Sequence, residues 1–399
     1  MRLLFVTQEL GKIPSGVVTV LAQLCQRWPG GDRITVLMNP SHWAGEYLHH
    51  EFADRADLTL RRVPALLMND GLNTALMGLP RRSRLALRIM LIPFTALQSV
   101  VLLLWLAAWM KANNIRGILS HNGGWPGGML NRWTLYAGAL ANVPNRVLVI
   151  HNTPLVPGSR LRKLMNTMSS CLVGRAATRI VTVSNACRES LETQNPFGKP
   201  LDVVYNGIAS AAPVGVVRSS PWEKEYPTIG FVGELHPRKG VHVLMEAFRR
   251  VDMPCELVLI GNGDEAYTDE LRESAAGSRH PVHFLGFRDD VPTLYRWIDV
   301  LVLPSLNFES FGMVIVEAMR AGIPVICSDF GGMKEVVADG ETGLIVRAGD
   351  AQSLASALTG LLEDADLRVR MGQAGKARME TLFESSVMTG HYTRFFHDQ

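Results

Sequence analysis

The stretch 299-DVLVLPSLNFESFGMVIVEAMRAGIPVICSD-329 decides the fold. It opens with an apolar, β-branched run at 300–304 and passes through a polar loop. It then takes up a helical pattern at FGMVIVEAMRAG and ends on a second apolar run at 324–327. Two short apolar runs joined by a helix read as a βαβ unit, whose strands are parallel and buried on both faces. The same alternation continues outward on both sides. Further strand candidates in the second half are residues 228–232, 256–260, 282–287 and 343–346. In the first half they are residues 3–7, 34–38, 58–63, 118–120, 147–150, 180–183 and 203–205. Helical patterns separate most of these runs, which predicts parallel sheets covered by helices on both faces.

A chain of 399 residues is too long for one ordinary core and predicts two or three domains at roughly 150 residues each. The small, Pro-containing and aperiodic segment 207-GIASAAPVGVVRSSPW-222 reads as a linker. The expected class is therefore α/β, with one doubly wound parallel-sheet domain over residues 1–208 and a second from residue 209 onward. Ligands in such domains sit beyond the carboxyl ends of the strands. Two in tandem are expected to face a cleft.

Composition narrows the function classes. The five cysteines (Cys25, Cys171, Cys187, Cys255 and Cys327) form no CxxC pair and are odd in number. This argues against a disulfide framework or a zinc site and fits a reducing cytosol. The start MRLLFVTQEL reads as a first strand rather than a signal peptide. The net charge of +3 conceals an asymmetry: residues 1–212 carry 22 Lys and Arg against 10 Asp and Glu, and the remainder 18 against 27. A basic half beside an acidic half fits an anionic partner, namely a membrane surface, a phosphate-bearing acceptor or nucleic acid. An uneven solvated surface is the plain alternative.

The segment 89-IMLIPFTALQSVVLLLWLAAWM-110 is nearly uncharged and follows Arg81, Arg82, Arg84 and Arg88. Its length suffices to span a bilayer. Pro93 and Gln98 interrupt it, however, and it lies between strand candidates of one sheet. Three readings stand: a transmembrane helix, a buried core helix, and a monotopic helix dipping into a membrane. The arginine cluster is either a solvated face or a contact to membrane phosphates.

The densest chemistry lies in 309-ESFGMVIVE-317. A helix opening here offers backbone N–H groups from Phe311, Gly312 and Met313, and such an end binds phosphate. Gly312 lets the backbone approach closely. Glu317 lies two helical turns on, at most about 12 Å from Glu309 at 1.5 Å per residue. Two carboxylates bracket an anion site, one suited to sugar hydroxyls and one to a ribose diol. In 233-GELHPRKG-240, Arg238 and Lys239 place cations in the loop after the domain's first strand, where they would neutralise a departing diphosphate. In 11-GKIPSG-16, Gly16 would present its N–H to a terminal phosphate. The absence of GxGxxG there weakens a dehydrogenase reading. His121 and His151 stand at strand ends, and His151 is a candidate on the acceptor side. Asp289-Asp290 reads as a helix N-cap.

These features together resemble the retaining GT-B glycosyltransferases that carry the E-x7-E motif, glycosyltransferase family 4, group 1. The resemblance is strongest over residues 227–350, through GFVGELHPRKGVHVLMEAF, LVLIGNGDE, FLGFRDDVPTLY, ESFGMVIVEAMRAGIPVICSD and GGMKEVVADGETGLIV. It is looser in the first half, through SGVVTVLAQL, HNGGWPGG, VSNACRES and VVYNGI. The resemblance implies a GT-B fold of two Rossmann-like domains: an acceptor-binding domain over 1–208 and a nucleotide-sugar domain over 209–379, with a last helix, 380–399, packing back on the first. It implies that Glu309 contacts the donor sugar and Glu317 the ribose. Phe311, Gly312 and Met313 would hold phosphate through N–H, with Lys239 on the diphosphate and Gly16 on the β-phosphate. His121 matches an active-site histidine of several members, and Asp290 would lie near the base. One position departs from the pattern: the family has Arg directly after Gly233, where this chain has Glu234. Arg238 is the nearest cation to take over that charge.

The expected activity is transfer of a hexose from a UDP-, GDP- or ADP-sugar by front-face attack, without metal or cofactor. The expected acceptor is a lipid-linked or cell-surface glycan intermediate. The expected location is cytoplasmic, peripheral on the inner face of the cytoplasmic membrane through the basic first domain, with no nucleic acid bound. The competing classes are a nucleotide-sugar epimerase or phosphorylase on the same fold, and a non-enzymatic binder of membrane or nucleic acid.

Overall fold

The structure, a computed structural model, describes residues 1–8, 16–39, 48, 51–52, 55–68, 76, 78–153, 159–194, 197–211 and 220–398. In chain order the first half contains β1 (Arg2–Thr7), α1 (Gly16–Arg27), β2 (Arg33–Met38), β3 (Leu58–Arg62), α2 (Arg81–Met90), α3 (Ile92–Ala112) and β4 (Gly117–Asn122). There follow α4 (Met129–Leu140), β5 (Asn145–Ile150), α5 (Arg160–Ala176), β6 (Arg179–Thr182), α6 (Asn185–Gln194) and β7 (Asp202–Val203). The second half begins with β8 (Thr228–Val232), α7 (Val241–Phe248), β9 (Glu256–Ile260), α8 (Glu265–Ala276), β10 (Val282–Gly286), α9 (Val291–Leu294) and β11 (Val300–Leu303). It continues with α10 (Met313–Arg320), β12 (Val325–Ser328), α11 (Met333–Val336), β13 (Gly343–Val346), α12 (Ala351–Glu363), α13 (Ala365–Leu382) and α14 (Ser385–His397).

The strands form a seven-stranded sheet in the order β3-β2-β1-β4-β5-β6-β7 and a six-stranded sheet in the order β10-β9-β8-β11-β12-β13. Every pairing is parallel. This is the doubly wound arrangement, reversing strand order between β1 and β4 in one sheet and between β8 and β11 in the other. The physical reason is visible in the sequence: Leu3 to Val6, Ile229, Phe231, Leu257 to Leu259 and Val300 are fully buried. Strands apolar on both faces need helices on both sides.

The chain divides into two compact units. The first comprises Met1–Val183, Cys187–Val204 and Thr389–Gln399, and the second Ser184–Ala186 and Tyr205–Met388. The last helix differs from the expectation of a single return from residue 380. α13 runs to Leu382, and α14 starts afresh at Ser385. The start of α14 is held in the second unit, since Ser385 N donates to Ile208 O at 2.8 Å and Ile208 N donates to Phe383 O at 3.0 Å. Only the chain from Thr389 groups with the first unit. There Phe396 meets the Trp28 ring edge-on at 5.9 Å, and His397 Nε2 lies 2.8 Å from Asp32.

The apolar segment 89–110 is broken at Leu91, with Pro93 in the first turn of α3. Proline is tolerated there because that N–H needs no helical acceptor. α3 buries Leu102, Leu106, Ala107 and Met110, yet only 17% of its most apolar window is buried. The buried-core reading is thereby corrected. The helix lines the core along one stripe and leaves Phe94, Leu97, Val101 and Leu104 exposed. The spanning reading fails on topology, because α3 lies in the connection between β3 and β4 of one sheet.

Candidate functional site

The loop after β8 is shaped by two contacts with the exit of β11. Gly240 has φ +69°, and a Cβ there would sit 2.0 Å from Pro304 O, so only glycine fits this left-handed turn. Leu306 N donates to Arg238 O at 2.9 Å. His236 caps the intervening 3-10 turn, its Nδ1 accepting from Arg238 N at 3.1 Å. These ties bring Lys239 Nζ onto Glu309 Oε2 as an ion pair, with both side chains mostly buried. Arg238 turns instead to Glu234, at 2.7 Å, with both groups exposed. The residue that departs from the family pattern thus carries the nearest arginine as its partner. An exposed pair of this kind is worth about 0.2–1 kcal/mol, so a phosphate competes for Arg238 at little cost.

Beyond Glu309 the chain turns into α10 through Gly312, at φ +88° and ψ +61°. Phe311 is buried and packs edge-on against Phe383 at 5.6 Å and near Tyr205 at 5.9 Å. That anchor fixes the backbone of the helix start. Among the described residues, the N–H groups of Phe311, Gly312 and Met313 have no backbone acceptor. Gly332, in the loop after β12, donates to Glu309 O at 2.8 Å and so holds the other side of the turn. Because α10 begins only at Met313, the helical rise covers Met313 to Glu317 alone. The upper distance drawn from eight helical residues therefore does not apply.

Glu317 is half-buried, and Tyr295 OH donates to its Oε2 at 2.8 Å. Burial pushes the Glu317 carboxyl above its ordinary value, while the Tyr295 hydrogen bond and the Arg320 charge pull the other way. Burial next to Glu317 pushes the Tyr295 phenol well up. Asp290 occupies the N-cap position of α9 but makes no side-chain cap. Its carboxylate is held instead by Arg288, Nε at 2.8 Å and Nη2 at 2.6 Å. The expected capping role is corrected on that ground: a bidentate guanidinium outcompetes a single backbone N–H.

The second unit therefore brings Lys239, Glu309 and the Phe311–Met313 backbone to one edge, beyond the carboxyl ends of β8 and β11. Glu317 follows on the helix those N–H groups open. In the first unit Gly16 opens α1 and is exposed, and residues 11–15 lie outside the described residues. His121 is the penultimate residue of β4, with its Nδ1 2.9 Å from His151 Nε2 and the two rings stacked. Burial and the neighbouring His151 hold His121 well below the usual histidine range, and burial pushes His151 down to about 3. Among the described residues, His121 Nε2 is buried and has no hydrogen-bond partner. Tyr295, His236, Gly332 and the pairing of His121 with His151 were missed by sequence reasoning. The signals on hand were the tyrosine closing FLGFRDDVPTLY and the glycine pair opening GGMKEVVADG.

Residues 217–378 match the family model described as Glycosyl transferases group 1. The chain is similar to a phosphatidyl-myo-inositol mannosyltransferase of Mycobacterium leprae, 38% identical over 200 residues, 47% of this chain and 52% of the relative. It is also similar to a D-inositol 3-phosphate glycosyltransferase of Corynebacterium urealyticum, 39% identical over 158 residues, 36% of this chain and 37% of the relative. The chain thus spans about half or less of the length of these curated relatives. In fold it is similar to Anabaena HepE in complex with UDP, with a TM-score of 0.74 at 19% identity over the whole of both chains. The same holds for sucrose-phosphate synthase of Thermosynechococcus elongatus, with a TM-score of 0.70 at 18% identity over 100% of this chain and 98% of that one. Residues 217–378 thus carry the resemblance to the glycosyl transferases group 1, and the whole chain has the two-sheet GT-B fold.

Proposed function

We propose that the protein transfers a hexose, with retention at the anomeric carbon, from a nucleoside diphosphate sugar to a lipid-linked or phosphate-bearing acceptor. The observation that carries this reading is the start of α10. Open N–H groups at Phe311–Met313 are flanked on one side by the Lys239–Glu309 pair and on the other by Glu317 with Tyr295. A helix start with a lysine beside it suits a diphosphate, and carboxylates on either side suit hydroxyls of sugar and ribose. Neighbouring structures support the donor class: HepE was solved with UDP and with UDP-glucose. The relatives support an acceptor carrying phosphate: they are a phosphatidyl-myo-inositol mannosyltransferase and a D-inositol 3-phosphate glycosyltransferase.

In this reading Lys239 leaves Glu309 for the diphosphate when donor binds, and Glu309 turns to the sugar hydroxyls. The bond from the anomeric carbon to the phosphate oxygen breaks as the bond to the acceptor oxygen forms on the same face. The released phosphate oxygen takes the acceptor proton. Lys239, Arg238 and the α10 N–H groups stabilise the charge growing on the leaving group, and the remaining contribution is positioning. Replacing Lys239 or Glu309 by alanine is expected to reduce transfer at least about a hundredfold with the fold retained. Substantial transfer in both variants overturns the assignment. An epimerase is distinguished by turnover without any acceptor.

A further inference from the structure

Residues 71–188 contain 14 Lys and Arg and no Asp or Glu. Within this run the outer faces of two helices are apolar. On α3, Phe94, Leu97, Val101 and Leu104 are 57%, 63%, 44% and 55% exposed. They recur at three- and four-residue intervals, so they form one stripe along the helix. On α5, Leu164, Met165, Met168 and Leu172 are 57%, 60%, 57% and 51% exposed and form a second stripe. α4 lies between the two, packed against α3 on one side and α5 on the other. Arg132 on α4 reaches Ser169 of α5 at 3.1 Å. α4 adds the half-buried aromatic pair Trp133 and Tyr136, edge-on at 5.6 Å. Cations stand in the same run: Arg82 on the preceding helix α2, Lys111 in the last turn of α3, and Lys163 and Arg175 beside the stripe of α5, all exposed.

Exposed apolar surface of this extent marks an interaction site. Its charge selects the occupant. A second copy would set one acid-free basic surface against another, and nucleic acid offers nothing to cover leucine and methionine. An anionic bilayer meets both features: acyl chains take the apolar side chains, and lipid phosphates take the cations at the rim. We propose that the outer faces of α3 and α5 form a monotopic docking surface for an anionic lipid bilayer, lying in its interface without crossing it. The inference rests on the first unit alone and is independent of the transfer reaction, so its failure leaves that reaction untouched.

The test is co-sedimentation of the full chain with vesicles of phosphatidylcholine alone and with roughly a third phosphatidylglycerol. The chain is expected to bind the anionic vesicles about tenfold more strongly at low salt. The variant L97E/L104E/L164E/M168E is expected to lose at least about tenfold in that binding. The separate variant R82E/K163E/R175E is expected to lose the preference for phosphatidylglycerol. Thermal melts establish that each variant is folded, and the altered side chains are exposed in any case. A chain that ignores both vesicle types overturns the proposal, as does undiminished binding by the apolar variant. A salt-stable dimer that the apolar substitutions dissociate, without vesicle binding, assigns the surface to a second copy and also overturns it.

Discussion

In the proposed donor site, Glu317 is the residue whose ionisation matters most. As a carboxylate it accepts hydrogen bonds only, which suits a ribose diol, and protonation removes part of that capacity. Burial raises its pKa, and the Tyr295 hydroxyl, at 2.8 Å, holds the rise in check. Because the folded value is raised, the stability this group contributes is fully present below the unfolded carboxyl value and is lost as pH rises through the folded one. Binding runs the other way: nucleotide affinity should fall as pH is lowered through the raised Glu317 value. Removing the hydroxyl in Tyr295→Phe should move that midpoint to higher pH. Calorimetric titration of nucleotide across the acid range reads the shift. An unchanged midpoint would remove Glu317 from the nucleotide contacts.

At the scale of elements, the ties between segments explain both what the sequence disclosed and what it withheld. Asp32, just before β2, is 5% exposed and accepts from three partners: the Met1 ammonium at 2.6 Å, Trp28 Nε1 at 2.9 Å and His397 Nε2 at 2.8 Å. It thereby joins the chain start, the end of α1 and the end of α14. Burial works to raise its pKa, but the three hydrogen bonds outweigh that and hold it below the ordinary carboxylate value. Its stabilisation is present above the unfolded value and is lost as pH falls through the lower folded one. Asp32→Ala should cost roughly 2–3 kcal/mol, less than a fully buried pair because Met1 and His397 stay partly exposed. Urea unfolding at neutral pH measures this, and the difference from the parent chain should shrink in acid. The strands themselves were readable, since β-branched runs buried on both faces leave no other pattern. The break at Leu91 was foreshadowed by Pro93. That α3 would expose one whole stripe was not readable, because an apolar helix does not record which of its sides lacks a neighbour.

Over the whole molecule, the parts of the site that could be read were contiguous. Glu309, Phe311 to Met313 and Glu317 lie within nine residues, and Lys239 follows a glycine-bracketed loop. The parts that could not be read are tertiary. Tyr295 meets Glu317 across 22 positions and His121 meets His151 across 30, and no local pattern marks such pairs. The pairing of Arg238 with Glu234 is different: it is local, four positions apart. The basic first half and acidic second half divide the chain's work as proposed: one unit toward an anionic surface, the other toward a nucleotide diphosphate. The most direct test of the central claim is calorimetric titration of UDP, GDP and ADP, and their hexose conjugates, into the parent chain and into Lys239→Ala. The account predicts that one nucleotide series binds the parent chain and that the lysine variant weakens it at least about tenfold. No binding by any of the three, or equal binding by both chains, would contradict it.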